Sequence, residues 1–425
     1  MTRKTAIKIL AAVTILALIF IGYLIISSYK TVDNDSDGKI DTTNNGYTLP
    51  VSNNTGSSTN TADGSVPTSL EEIKSIPTLR QIVASPISGF TTFERLVAQS
   101  QENIPESKRN QTETIYRYVD RATGNVFETT ENSLKIDRIT NTTVPKVYEA
   151  SFFTAGDGVV LRYLDANENI ETFVAKILSK TSTTTAEENE SPFSLLQGSF
   201  LPKNVVAITK SPTEDKFFYT KDGKGYTFNG SSPQNQTLIM DYAITEWLAN
   251  WVNKQIILTT KPSYFSEGFA FSLDPVSGSL NIIQDDRLGL LVNQNSNQTK
   301  MLVSEYKNDS ITTSIVDLKT NETKGFGLRT FAEKCVWSKK NTNLVYCAVP
   351  RKMPAGPYPD MWYQGTVSFT DELYKIDLDL NTTSKFESIS KYAFDIDGIQ
   401  LSEQEEYILF QNKKDLSLWS LDITK

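Results

Sequence analysis

Residues 401–423 read LSEQEEYILFQNKKDLSLWSLDI. A strand end gives way to a polar turn, then to the apolar run YILF, a second polar turn, and the alternating stretch SLWSLDI. Alternation of apolar and polar residues is the period-two signature of a half-buried strand, and the polar clusters between the strands supply turn chemistry. Strand, turn, more apolar strand, turn, alternating strand is the order to look for elsewhere.

It recurs along the whole body of the chain. The more apolar second strands are IYRYV (115–119), VVLRY (159–163), KFFYT (216–220), QIILT (255–259), KMLVS (300–304), NLVYC (343–347) and EYILF (406–410). Their central residues, Tyr116, Val160, Phe218, Ile257, Leu302, Val345 and Ile408, are separated by 44, 58, 39, 45, 43 and 63 positions. Most of these spacings match the ~40–50 residues of one four-stranded propeller blade. The two long ones absorb a polar run at 179–189 and a loop at 351–370. The third strands, among them GNVFETT, NIETFVAKIL, GYTFNG and ELYKIDLDLN, alternate as half-buried strands do. The expected fold is all-β, a seven-bladed β-propeller over 76–425. Its last unit stops after a third strand, and TLRQIVAS (78–85) stands unattached ahead of the first unit. Lent to the last blade, that segment would close the ring and leave no unpaired edge there.

KSPTEDKFFY (210–219) and LSEQEEYILFQNKKDLSLWSLDI (401–423) resemble the repeat of TolB-like and WD40-like propellers. The resemblance spans the propeller region and is loose: the usual Ser-Pro-Asp-Gly turn is never complete, and the Gly-His and Trp-Asp dipeptides of WD40 repeats are absent. YRYVDRATGNVFE and YPDMWYQGTVSFTD are also similar to uncharacterised membrane-anchored propeller proteins of candidate-phylum bacteria. These resemblances imply a binding scaffold and transfer no catalytic residue.

Ahead of the repeats the chain changes character twice. Ile9 to Ile26, ILAAVTILALIFIGYLII, holds no charge, and eighteen residues of helix span about 27 Å, near the ~30 Å of a hydrocarbon core. Arg3, Lys4 and Lys8 precede it, which places 1–8 in the cytoplasm and the rest of the chain outside. No small-residue cleavage site follows, so an uncleaved anchor over 9–26 is expected. Residues 27–75 are rich in Asn, Thr, Ser and Gly and read as a flexible stalk. Within it, Asp33, Asp35 and Asp37 ahead of Gly38 and Ile40 follow the opening of a calcium-loop pattern. The twelfth position is Asn44 where that loop has its bidentate Glu, so the alternative is a solvated acidic linker.

The chemistry open to the chain is narrow. It has no histidine and two cysteines, which excludes Ser-His-Asp and Cys-His systems, His-ligated metals and four-thiolate clusters. A net charge of −8 argues against nucleic acid as a partner. The partners expected are the membrane itself and an envelope protein, peptide or glycan. Cys335 and Cys347 flank the turn SKKNTN and should face each other across a hairpin, within disulfide range; two small buried hydrophobes are the alternative. In the 351–370 insertion, Trp362 and Tyr363, supported by Tyr358 and Asp360, form the candidate binding group, unless the loop folds back to cap its own blade. No catalytic constellation is visible. A scaffold is therefore the leading reading, with a carboxylate-dependent hydrolase or lyase of envelope polysaccharide, or a structural subunit of an envelope complex, as alternatives.

Overall fold

The second strand of each unit is apolar at consecutive positions because both of its faces are covered. In the strand Gly158–Leu164, Val159 and Leu161 enter one buried cluster while Val160 enters the next. Val345 and Cys347 face one neighbour, and Tyr346 and Ala348 the other. Successive side chains of a strand point to opposite faces, so a strand sandwiched between two sheets must be apolar throughout. Each Val or Leu among them contributes about 1.5–3 kcal/mol by leaving water.

A computed structural model describes residues 76–97, 111–178 and 193–425. Residues 1–75, with the expected anchor at 9–26 and the expected calcium ligands Asp33, Asp35 and Asp37, lie outside the described residues. The described residues form seven four-stranded antiparallel sheets, the blades of a β-propeller. Six blades use four strands consecutive in sequence. The seventh joins Ile396–Leu401, Tyr407–Asn412 and Ser417–Asp422 to the N-terminal strand Leu79–Val83 as its outer edge. Leu79 pairs with Leu421 and Arg80 with Ser420, which closes the ring.

Among the described residues there are seven buried apolar clusters, and each lies between two neighbouring blades. The cluster between the last blade and the first contains Ile82, Leu409 and Leu418 from one side and Tyr116 and Tyr118 from the other. The core is thus a ring of seven wedges around a central channel. Among the described residues no helix is long and apolar enough to cross a membrane.

Strand order gives the ring two distinct ends. At one, the loop-bearing end, inner strands begin and second strands run into third strands; the 351–370 insertion lies there, between Leu344–Pro350 and Asp371–Asp377. At the other, the hairpin end, inner strands turn back into second strands.

Candidate functional site

The inner strands are the wall of the central channel. Ala207–Lys210, Trp247–Val252, Leu291–Gln294 and Cys335–Trp337 surround a cavity of about 1000 Å³. Ile208, Leu248, Val292 and Val336 give it apolar surface, and Asn250 and Asn297 supply amides. An adjoining space of about 380 Å³ lies against the inner strands of the first, second, third and seventh blades, where it meets Gly89, Ala150, Lys210 and Asp397. Cys335 faces the cavity from the sixth blade and is bonded to Cys347, its register partner, at 2.14 Å between sulfurs.

Charged side chains stand at both ends of the channel. At the loop-bearing end Glu333 projects from a short 3-10 turn, Ala332–Lys334, that leads into the inner strand. Burial in the mouth pushes its carboxyl up to about 7, and Asp397 adds to the shift, while Tyr363, Lys334 and Lys413 work against it. Tyr363 donates its hydroxyl to both oxygens of Glu333, at 2.8 and 2.9 Å. Burial and this carboxylate hold the phenol well above its usual range, so Tyr363 keeps its proton and donates it to the ionised carboxylate. Asp397 lies 3.7 Å from Lys413. At the hairpin end stand two lysines from different blades, Lys210 and Lys339. Burial lowers the pKa of Lys210; Asp215 opposes the shift and Lys339 adds to it. Between the ends, Arg162 is bonded to Glu149 and to the carbonyls of Val205 and Val206, and so is spent within the wall.

No protein-family model and no curated protein sequence matches the chain. Solved structures do resemble it. A chain of the mitotic checkpoint complex matches 92% of this chain and 99% of its own length at 9% identity and a TM-score of 0.46. A protein assigned as TolB from Agrobacterium tumefaciens matches 50% of this chain and 71% of its own at 10% identity and a TM-score of 0.37. These are likenesses of fold.

The insertion puts its four candidate residues to different uses. Trp362 and Tyr358 are each 1% exposed and pack against Phe331, so neither ring is presented to a partner. For these two the loop takes its other form, a cover over its own blade. The indole N–H of Trp362 donates to Asp395, and Lys334 and Lys413 lie 4.6 and 4.0 Å from its ring. Asp360 accepts from the Ser263 hydroxyl and the Tyr264 amide, which ties the insertion to a loop of the fourth blade. Tyr363 alone of the four reaches the channel mouth.

Beneath Trp362 lies a buried ion triad that the sequence did not reveal. Lys334 sits 2.9 Å from Asp371 and 2.7 Å from Asp395, with all three side chains sealed from solvent. Burial opposes the charge on Lys334, but the two carboxylates outweigh it and raise its pKa. Asp395 also accepts from Ser368 and from the Phe369 amide, so the far end of the insertion is fastened at the same point. The channel residues Glu333, Asp397, Lys210 and Lys339 were missed as well. Each stands alone in sequence among ordinary surface charges. Among the described residues no group of three or more acidic or thiol side chains could hold a metal ion.

Proposed function

We propose that the chain is a membrane-anchored binding scaffold, held by residues 9–26 with its propeller outside the cytoplasm, and that it takes a protein or peptide partner into the central channel. The open cavity of about 1000 Å³, walled mainly by apolar and amide side chains with a few charged groups among them, carries this reading. The charge-free run 9–26 behind Arg3, Lys4 and Lys8 supports the anchor and its orientation.

A carboxylate enzyme is the second reading, favoured by the near-neutral Glu333 beside Asp397. The hydroxyl of Tyr363 argues for the scaffold: it donates to both carboxyl oxygens and so favours Glu333 as an acceptor over Glu333 as a proton donor.

The test is crosslinking in intact cells with the native chain and with Leu248→Trp, which fills the channel from a side chain 39% exposed on its wall. The native chain is expected to hold a partner that the filled variant loses while melting at the same temperature. Equal capture by both would place binding elsewhere on the ring. Protease added outside the cells is expected to remove the propeller; a protected propeller would reverse the topology.

A further inference from the structure

The two acids of the buried triad are not equivalent. Asp395 accepts from Lys334, from Trp362, from Ser368 and from the Phe369 amide, so both of its oxygens are satisfied. Asp371 is poorly served. Its Oδ2 lies 2.9 Å from Lys334 Nζ and accepts from the Ile396 amide at 2.7 Å. Its Oδ1 is also buried, and among the described residues it has no hydrogen-bond partner. The site is sealed from solvent, with the rings of Trp362 and Phe369 4.6 and 5.2 Å from the Lys334 nitrogen. Buried charges and an unpaired buried oxygen both cost free energy.

We propose that Lys334 and Asp371 condense within the folded chain into an intramolecular isopeptide bond, with Asp395 as the group that moves the proton. The reactants already touch, since Nζ lies 2.9 Å from one carboxyl and 2.7 Å from the other. Lys334 first passes a proton to Asp371, which gives an amine and a carboxylic acid. The amine lone pair attacks Cγ of Asp371, the new C–N bond forms, and the carbonyl pair moves onto Oδ2 beside the Ile396 amide. Asp395 then takes a proton from the nitrogen and returns it to Oδ1. The C–O bond breaks, water leaves, and Asp395 ends ionised as it began. No oxidant or co-reactant is consumed.

The roles of the two acids follow from their surroundings. Burial pushes the Asp371 carboxyl up, with Lys334 and the Ile396 amide opposing. Burial pushes Asp395 the same way, but Lys334 and the Phe369 and Trp362 donors outweigh it and hold that carboxyl down. Asp371 is therefore the acid that accepts the proton and is attacked, and Asp395 the one that stays a base. The two acids hold the Lys334 proton against loss to water. Transfer to Asp371 differs, because it discharges both partners together.

The product fits the site better than the reactants do. The new amide N–H donates to Asp395 in place of the ammonium, and the remaining oxygen still accepts from Ile396. Two buried charges and the unpartnered Oδ1 are gone. Cys335, the next residue after Lys334, is bonded to Cys347, which ties the inner strand of the sixth blade to its second strand. The isopeptide bond would tie the turn before that inner strand to the third strand, Asp371–Asp377. It closes a loop that holds the whole 351–370 insertion, restricts the unfolded chain as a disulfide does, and is opened by no reductant. The bond does not depend on what the channel holds.

The experiment is intact-mass and tryptic-peptide analysis of the full chain in detergent, after reduction and alkylation of the disulfide. The native chain is expected to weigh one water less than its sequence requires. Trypsin does not cut after an acylated lysine, so a branched peptide joining 330–339 to 353–375 should appear. Asp371→Ala should return the full mass and cleavage after Lys334. Asp395→Asn, which keeps the shape but not the base, should leave most chains at full mass while still melting cooperatively. The native measurement decides the inference whether or not the variants fold: a native chain of full mass, cut after Lys334, overturns it. Loss of water without the branched peptide, as from a succinimide elsewhere, overturns it as well. A branch from 330–339 to 392–413 would overturn the choice of Asp371 over Asp395. Equal crosslinking in Asp395→Asn would overturn the proton-transfer role of Asp395.

Discussion

At Trp362 a single side chain decides between a surface loop and a lid. Its ring is buried against Phe331 and Phe369, its N–H is bonded to Asp395, and two lysines lie over its faces. Trp362→Ala would open a cavity above the buried triad and is expected to cost about 3–5 kcal/mol in urea unfolding. A loss under ~1 kcal/mol would mean that the ring contributes little to the fold. Glu333 calls for a different measurement. Its folded-state pKa of about 7 is raised above the usual carboxylate value, so the folded chain holds this proton more tightly than the unfolded one. Stability from this group is therefore present at acid pH and lost as pH rises from about 4.5 through 7. Glu333→Gln, which never ionises, should melt above the native chain at pH 8 and with it at pH 4.5. A constant difference in Tm across that range would rule out the linkage. Sequence alone shows none of this, because Lys334, Asp371 and Asp395 meet only after three separate segments have folded.

At the scale of the strand and the loop, legibility followed local chemistry. The seven second strands could be read because cover on both faces forces an apolar run, and the spacing between runs exposed the insertion at 351–370 as surplus to blade formation. Its length was legible and its direction was not. Tyr and Trp favour a buried face and a presented face alike until neighbours are known, and Phe331, Asp395 and Ser263 come from segments distant in sequence. The hairpin geometry around residues 338–343 could be read, since register depends on turn position, and Cys335 stands opposite Cys347 as the centre of that turn requires. Close contact between inner strands was beyond reach. A Cβ at Gly89 would stand 1.9 Å from the backbone oxygen of Ala150 in the next blade. Gly89→Ala must push the first two blades apart and is expected to lower Tm sharply. Gly325→Ala, with nothing within 4 Å of the added atom, should leave Tm within a degree or so. Similar melting of the two variants would show that the blades yield easily at this contact.

Closure is a property of the whole ring, and one short strand supplies it. Leu79–Val83 covers the edge of Ser417–Asp422, with Gln81 opposite Trp419 and Val83 opposite Leu418. Ile82 also enters the cluster shared with the first blade. Arg80 reaches across to that blade, where its guanidinium donates to the Thr130 carbonyl at 2.9 Å and the Thr129 hydroxyl at 3.1 Å. The strand therefore pairs with the last blade through its backbone and bolts the first through its side chains. Deleting residues 76–85 would remove all of these contacts and leave the other six sheets with every strand they have. The wedge between the last and first blades would lose Ile82, and Ser417–Asp422 would present a bare row of backbone donors and acceptors, the kind of edge that recruits a second chain. The expected outcome is a lower urea midpoint, a shallower transition as the blades cease to unfold together, and dimers or larger species on size exclusion. Restoring a peptide of residues 76–85 in trans should reverse part of the loss, since the acceptor edge remains intact. A deleted chain that stays monomeric and unfolds with the native slope and midpoint would mean that the seventh wedge holds without its strand, and that ring closure contributes little to cooperativity.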